Sequence, residues 1–148
     1  MFLGSNSHSI DEKGRLTLPA KWRAELASGV VVTRGLDDCL FVFPQPKFEK
    51  IAAEIDDAGI EIADARAWAR YLAGKAELLE VDKQGRILIP EDLRKFANLD
   101  GHVVVLGVVS RIEIWNPEKF NENNQAIESN ATVVAERMGQ LMRRAAGK

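Results

Sequence analysis

The sequence has little of what enzymes and secreted proteins use for chemistry and cross-linking. It contains one cysteine, Cys39, in 148 residues, which excludes an internal disulfide framework and is typical of a reducing cytosol. Its two histidines, His8 and His102, lie far apart along the chain and do not have the spacing of a metal site. We therefore expect no metal, no cofactor and no disulfide.

Long apolar runs and phosphate-binding motifs are also missing. No apolar stretch approaches the ~20 residues that cross a membrane, and the first residues lack the charged start and long apolar stretch of a signal peptide. Neither G-x-x-x-x-G-K-[ST] nor G-x-G-x-x-G occurs, and no pairing of a nucleophile with a base is visible. These absences predict a cytoplasmic protein that is not an enzyme, has no catalytic residues and binds neither membrane nor small-molecule substrate.

Excess positive charge is absent as well, because the net charge is −2, which argues mildly against nucleic acid as a partner. The charge is nevertheless segregated. Residues 10–23 carry four basic and two acidic side chains, whereas residues 46–64 carry two basic and six acidic ones. Basic charge is therefore concentrated in one short motif.

That motif occurs twice, with the copies 71 residues apart. Residues 11–23 and 82–94 share the pattern D-x-x-G-R-apolar-x-apolar-P-x-x-apolar-R. An internal repeat has to be recognised first, since it decides which fold is considered. The identical pairs are Asp11/Asp82, Gly14/Gly85, Arg15/Arg86, Pro19/Pro90 and Arg23/Arg94.

Each repeat begins with a hairpin signal. Aspartate at the first turn position and glycine at the fourth suit a type I turn followed by a left-handed glycine. A short strand follows, and Pro19 and Pro90 end these strands because proline has no N–H for the ladder. Short helices are predicted near residues 20–27 and 91–97, and two further strands and a trailing helix come next in each copy.

Each half is thus predicted as ββαββ, and a half of ~45 residues buries too little apolar surface to be stable alone. We therefore predict an α+β fold in which two tandem ββαββ repeats interlock about a pseudo-twofold axis as one barrel flanked by helices. The expected ranges are 5–47 for the first repeat, 48–75 for a helical spacer, 76–119 for the second repeat and 120–148 for a C-terminal helical tail.

The turn of each repeat places basic side chains beside the start of a short strand. Arginine suits guanine through a bidentate fork, and lysine suits phosphate as a flexible point charge. The candidate DNA-binding residues are Arg15 and Arg86 for bases, Lys13 and Lys83 for phosphate at the tips, and Lys21, Arg23, Arg94 and Lys95 for phosphate on the helices. Asp11 and Asp82 are expected to cap the turns and orient the arginines. Gly14 and Gly85 are expected because the turn needs a left-handed backbone conformation that glycine adopts easily. The alternative is that each Asp–Arg pair is a structural strut that does not contact DNA.

This element resembles the swapped-hairpin DNA-binding domain of the SpoVT-AbrB class, and two copies in ~150 residues resemble the MraZ family. The resemblance covers nearly the whole chain. It includes Met1-Phe2-x-Gly4, His8, Pro44, Ala76-Glu77 and Glu113-Ile114-Trp115 besides the two motifs. It implies a nucleoid-associated transcriptional regulator, acting as a repressor, that forms rings and binds short G-rich direct repeats upstream of the bacterial cell-division and cell-wall gene cluster. The family's D-x-x-x-R element falls on Asp11/Arg15 and Asp82/Arg86.

The predicted partners are double-stranded promoter DNA and further copies of the chain in a ring-like homo-oligomer. Trp22, Trp68 and Trp115 are expected in the core or at an interface. The apolar residues considered for contacts between protomers are Trp68, Leu72, Val134 and Leu141, and the alternative for each is a place in the core of a single chain. A second hypothesis is a non-enzymatic assembly module that binds a protein partner through the same hairpins. The basic tips of both repeats favour DNA.

Overall fold

The fold contains two copies of one arrangement of strands and helices, described over residues 1–147 in a computed structural model. The first copy comprises β1 (Phe2–Ser9), β2 (Arg15–Thr17), a 3-10 turn (Ala20–Trp22), β3 (Val30–Arg34), β4 (Leu40–Pro44) and α1 (Gln45–Asp57). Helix α2 (Ala63–Ala73) follows it. The second copy comprises β5 (Glu77–Leu79), β6 (Arg86–Leu88), α3 (Glu91–Phe96), β7 (His102–Val109), β8 (Arg111–Trp115) and α4 (Pro117–Ser129), and α5 (Ala131–Ala146) comes last.

The two copies exchange strands. The larger sheet is antiparallel with the order β1-β7-β8-β4-β3-β5, so the first strand of each copy pairs with the third strand of the other. Strands β2 and β6 pair with each other in a separate two-stranded sheet, which we call the β2–β6 ribbon. The strand order is symmetrical about the β4–β8 pair. The predicted α+β class and the two tandem hairpin repeats are therefore confirmed.

One apolar cluster receives side chains from both copies. Alternation along the β2–β6 ribbon turns Leu16 and Ile87 inward, where they are almost completely buried. Trp22 and Leu93 fill equivalent places from the segments after the two prolines. Because each copy supplies strands to the sheet of the other, the core belongs to the pair of repeats and not to either one.

The helix predicted over residues 20–27 is wrong, because the structure has a 3-10 turn there. Trp22 N–H donates to Pro19 O at 3.0 Å and Leu26 N–H to Arg23 O at 3.1 Å, both in the tighter i to i+3 pattern. Helix α3, its counterpart, has two acidic residues in its first turn and the Glu91–Lys95 ion pair. The first copy has no acidic residue at the start of its turn, so the same stabilisation is missing.

The three tryptophans differ in environment. Trp22 and Trp115 are buried, whereas Trp68 on α2 is 39% exposed and stacks on Tyr71. Leu72 is buried within the fold, which agrees with the intramolecular role that was the alternative to a contact between protomers.

The chain divides into two compact units, with the boundary in the sequence after Pro117. The second unit contains α5, an amphipathic helix whose exposed apolar side chains are Val133, Val134, Met138, Leu141 and Met142. Among residues 1–147, no helix combines the length and apolar character of a membrane span.

Candidate nucleic-acid interface

The first hairpin tip is organised by the carboxylate of Asp11. Its Oδ1 accepts the backbone N–H groups of Lys13 at 3.0 Å and Arg15 at 2.9 Å, and its Oδ2 accepts Arg15 Nε–H at 2.6 Å. Gly14 closes the turn by donating its N–H to Asp11 O at 2.9 Å. Its φ of +90° explains why a glycine stands at this position. One carboxylate therefore holds both the turn and the arginine.

The second tip repeats this geometry. Asp82 Oδ1 accepts the N–H groups of Gln84 at 2.9 Å and Arg86 at 2.8 Å, and Oδ2 accepts Arg86 Nε–H at 2.9 Å. Gly85 has φ +78° and donates its N–H to Asp82 O at 2.9 Å. Two tips 71 residues apart in sequence thus have the same hydrogen bonds.

These bonds favour the charged form of both carboxyl groups. The pKa of Asp11 lies below its ordinary value, chiefly because the backbone N–H of Arg15 donates to the carboxylate, with the Arg15 side chain adding to this. The pKa of Asp82 is lowered in the same way by Arg86. Both tips therefore keep an ionised aspartate beside the arginine at neutral pH.

The arginines are held through one edge of the guanidinium group. Nε–H of each is bonded to its aspartate, and the two Nη atoms carry the other four N–H donors of the guanidinium group. The side chains are 34% exposed for Arg15 and 29% exposed for Arg86. A guanidinium group that is held at Nε and is partly exposed suits bidentate contact with a pair of acceptors through its Nη donors.

The β2–β6 ribbon brings both arginines to one surface. Arg15 pairs with Leu88, Leu16 with Ile87, and Thr17 with Arg86. Since alternate residues of a strand share a face, Leu16 and Ile87 lie inside and the other four side chains lie on the outer face. The two copies of the motif, separated in sequence, therefore form one continuous outer surface.

The lysines of the tips do not occupy equivalent turn positions. Lys13 is the third residue of its turn and Lys83 the second, so Lys13 corresponds to Gln84 and Lys83 to Glu12. Both lysines are exposed. The two tips therefore carry different charge at the same geometry.

The remaining predicted lysines lie on the segments after the prolines, and both are exposed. Lys21 places its Nζ over the Trp22 ring, 5.1 Å from the centroid, and Lys95 forms an ion pair with Glu91 at 3.1 Å. A phosphate contact from either lysine stays a prediction.

Arg23 and Arg94 have a contact that the sequence did not indicate. Arg23 donates from Nε and Nη2 to Leu18 O at 3.2 and 3.1 Å, and its guanidinium lies against the second tip, where a Cβ on Gly85 would collide with it. Arg94 donates from Nε to Ile89 O at 3.0 Å and lies against Gly14 of the first tip. Each arginine thus packs on the hairpin of the other copy, and its phosphate contact stays a prediction.

Backbone bonds join the copies at the same two places. Leu18 N–H donates to Gly85 O at 2.8 Å, and Ile89 N–H donates to Gly14 O at 2.9 Å. The repetition of glycine and arginine at matching positions was a signal for this contact. It could not be interpreted from the sequence, because the two partners belong to different copies.

The other reactive side chains are not assembled into a site. Cys39 is buried, its Sγ donates to Leu36 O at 3.2 Å, and burial raises the pKa of its thiol. Within residues 1–147, no cluster of histidine, cysteine, aspartate and glutamate side chains is arranged to hold a metal ion.

Exchanged hairpins with an aspartate-held arginine at each tip place the chain in the class of tandem swapped-hairpin proteins. The family model described as "MraZ protein, putative antitoxin-like" matches it twice, over residues 1–71 and 72–141, so each match contains one copy of the motif. The chain therefore belongs to the MraZ family.

Named relatives agree with the family model over almost their entire length. The chain is 43% identical to the transcriptional regulator MraZ of Desulforamulus reducens over 142 residues, covering 96% of this chain and 100% of that protein. It is 45% identical to the MraZ regulator of Carboxydothermus hydrogenoformans, covering 93% and 96%. It is 40% identical to that of Roseiflexus castenholzii, covering 95% and 99%. Transcriptional regulation is a non-enzymatic role, so the expectation that the chain is not an enzyme is confirmed.

Proposed function

We propose that this chain is a sequence-specific DNA-binding regulator that places its β2–β6 ribbon in the major groove. The observation that carries the proposal is the pair of aspartate-held arginines on the outer face of that ribbon. A two-stranded ribbon fits the major groove of B-DNA, which is ~12 Å wide. The pseudo-twofold relation between the copies brings both tips to the same groove.

Guanine is the base that this geometry suits. Its O6 and N7 are adjacent acceptors in the major groove, and an arginine fork donates to both. Because Asp11 and Asp82 hold Nε, the Nη groups of Arg15 and Arg86 have little freedom to lose on binding. Preference for G-rich sites follows from two such forks in one ribbon.

Phosphate contacts are assigned to the lysines around the ribbon. Lys13 and Lys83 flank the arginines at the tips, and Lys21 and Lys95 are exposed on the segments beyond the prolines. These charges position the ribbon without selecting a sequence. The net charge of −2 means that a single protomer supplies little general attraction to DNA.

Several protomers acting together would offset this weak attraction. We therefore propose a ring-like homo-oligomer that binds short direct repeats, as the resemblance to MraZ regulators implied, in the nucleoid of the cytoplasm. The same resemblance supports repression of the cell-division and cell-wall gene cluster as the role. Exposed apolar side chains on α5, with Val134 and Leu141 among them, are available for contacts between protomers.

The first test combines selection of bound DNA from a random library with substitution of the arginines. We expect R15A and R86A each to lose about 1–3 kcal/mol of discrimination against the wrong base while remaining folded in melting curves. R15K and R86K, which keep the charge but lose the fork, should show the same loss of specificity. Wild-type affinity and specificity in the alanine variants would refute the proposal.

The second candidate is an assembly module that binds a protein partner through the ribbon. It is favoured by one observation, the 55% exposure of Leu88 on the outer face of the ribbon, opposite Arg15. A protein partner would leave binding to random DNA undetectable at low salt. Titration of labelled random DNA with salt separates the two hypotheses, since phosphate binding weakens steeply as salt rises.

A further inference from the structure

The outer face of the β2–β6 ribbon is not symmetrical. It carries Arg15 and Thr17 from one strand and Arg86 and Leu88 from the other. The offset of 71 residues that relates Arg15 to Arg86 also relates Thr17 to Leu88. The arginines therefore match across the pseudo-twofold axis, whereas a hydroxyl side chain on one side corresponds to a larger aliphatic one on the other.

Leu88 is not required by the core. Its neighbours Ile87 and Ile89 face inward and are almost completely buried, while Leu88 is 55% exposed. A single exposed leucine is ordinary on a protein surface. What distinguishes Leu88 is its position, directly opposite Arg15 in the ribbon and beside two ion pairs.

The major groove offers one apolar group to such a side chain, the 5-methyl group of thymine. We propose that Leu88 is a specificity-determining residue that packs on a thymine methyl next to the guanine held by Arg15. This inference rests on the proposed function, because it requires the ribbon to lie in the groove. It adds a second chemical class of contact to the arginine forks.

Ribbon geometry limits which thymine can be involved. Directly opposite residues of an antiparallel pair have Cβ atoms about 4.5–5.5 Å apart, and base pairs follow each other at ~3.4 Å along the helix axis. The thymine should therefore lie within about one or two base-pair steps of the guanine held by Arg15. Thr17, the counterpart beside Arg86, has a shorter side chain and presents a hydroxyl group to the groove.

The asymmetry gives the ribbon a direction on DNA. Two identical halves would bind both orientations of a site equally, whereas Leu88 on one side and Thr17 on the other favour one orientation. A protomer with a preferred orientation is suited to repeats that all point the same way. The pair thus supplies a physical reason for direct repeats in place of palindromes.

The experiment uses the full-length chain and the DNA site obtained by selection. Each thymine of that site is replaced in turn by deoxyuridine, which removes only the 5-methyl group. We expect one replacement near a guanine to weaken wild-type binding about fourfold, as loss of one buried methyl group implies. The variant L88A should bind the thymine site about fourfold more weakly and show no further loss with the uracil site.

An exchange of the two side chains tests the direction. In the double variant T17L/L88T, the position that is sensitive to uracil should move to the other side of the guanines. The control is L78A, which truncates a leucine that is 61% exposed on β5, outside the ribbon. Melting curves and sedimentation of each variant show whether folding or oligomeric state has changed instead.

The possible outcomes are distinguishable. If the wild type binds its site and R15A weakens it, but no uracil replacement matters, Leu88 does not contact a methyl group and only this inference fails. The same holds if L88A retains the uracil effect, or if L88A changes the oligomeric state and not the base preference. If R15A and R86A bind as the wild type does, the ribbon is not the DNA surface, and both proposals fail.

Discussion

Each hairpin tip depends on an aspartate that serves the backbone and the arginine together. Asp11 accepts two backbone N–H groups with one oxygen and Arg15 Nε–H with the other, and Asp82 does the same for its own tip. Turn shape and arginine orientation are therefore coupled in one residue. Loss of the carboxylate should disturb both, which separates this arrangement from a simple surface ion pair.

The lowered pKa of Asp11 and Asp82 defines how stability depends on pH. A carboxyl group with a folded-state pKa below its ordinary value of 3.8 adds stability above 3.8, and this stability is lost as the pH falls through the folded-state pKa. We expect the free energy of unfolding of the wild type to exceed that of D11N at neutral pH, with the difference closing in acid. Urea unfolding at several pH values measures it.

The control is E12Q, which makes the same change of charge at a neighbouring exposed residue. It should alter stability much less than D11N at neutral pH, because the turn bonds belong to Asp11. A difference between wild type and D11N that grows as the solution becomes more acidic would contradict the expected sign.

Lysine and arginine at the tips should differ in what they contribute. We expect K13A and K83A to weaken binding to every DNA sequence alike, each reducing the slope of log affinity against log salt by about one unit. The reason is that a phosphate contact releases counterions but carries no base information. Binding isotherms at four salt concentrations, on selected and random DNA, give both quantities. A loss confined to the selected site would assign these lysines to bases.

At the scale of secondary-structure elements, the important contact is the one between each hairpin and the other copy. The Arg23 guanidinium lies against Gly85, and the Arg94 guanidinium lies against Gly14. One main-chain hydrogen bond, from Leu18 N–H to Gly85 O, runs beside the first of these contacts. The tips that carry Arg15 and Arg86 are therefore each held by the opposite repeat. These contacts fix the position of the two tips relative to each other.

Substitution of the tip glycine measures this contact. G85A should destabilise the protein by more than the roughly 1–2 kcal/mol of a left-handed alanine, because a Cβ there also collides with Arg23. G101A is the matched control, since Gly101 has φ +70° with open space around its Cβ position. The double variant G85A/R23A should lose the collision and retain the backbone strain.

The measurement is urea unfolding of the three variants and the single variant R23A. If the contact is as close as described, G85A costs more than G101A, and the effects of G85A and R23A are not additive. Equal destabilisation by G85A and G101A would show that Arg23 moves aside without cost.

At the scale of the whole molecule, the decisive property is charge. The chain is acidic overall, and the basic groups proposed to contact DNA are concentrated at two hairpin tips. The chain has one ribbon with two arginines, and its net charge is −2. Joining several ribbons raises the effective concentration of each after the first has bound, which can multiply affinity by ~10²–10⁴ without new contacts. Binding strength should therefore depend on the number of sites in the DNA.

We expect DNA with three copies of the selected site to bind much more tightly than DNA with one. A shift of the spacing by half a helical turn, about 5 base pairs, should remove most of the gain, because ribbons on one side of an oligomer reach one face of the duplex. Titration of DNA with one, two and three copies, with sedimentation at the same protein concentrations, tests this. Equal affinity for one copy and three, or a monomer that binds tightly, would rule it out.

Much of the local structure followed from the sequence alone, because its causes lie within a few residues. Asp11 and Gly14 define a turn through their own spacing, Pro19 ends a strand because it lacks an N–H, and the 71-residue repeat predicts that the same elements recur. The candidate arginines were found for the same reason. The resemblance to a known family added the expected regulatory role, the ring and the G-rich direct repeats, which these local arguments do not provide.

The tertiary structure decided which elements meet. Pairing of β1 with β7 and of β2 with β6 depends on the exchange between copies, which no local signal encodes. The contact between Arg23 and Gly85, and the position of Leu88 opposite Arg15, depend on that exchange as well. Sequence periodicity tells which face of a strand is buried, but register and partner are determined by the packing of the common core.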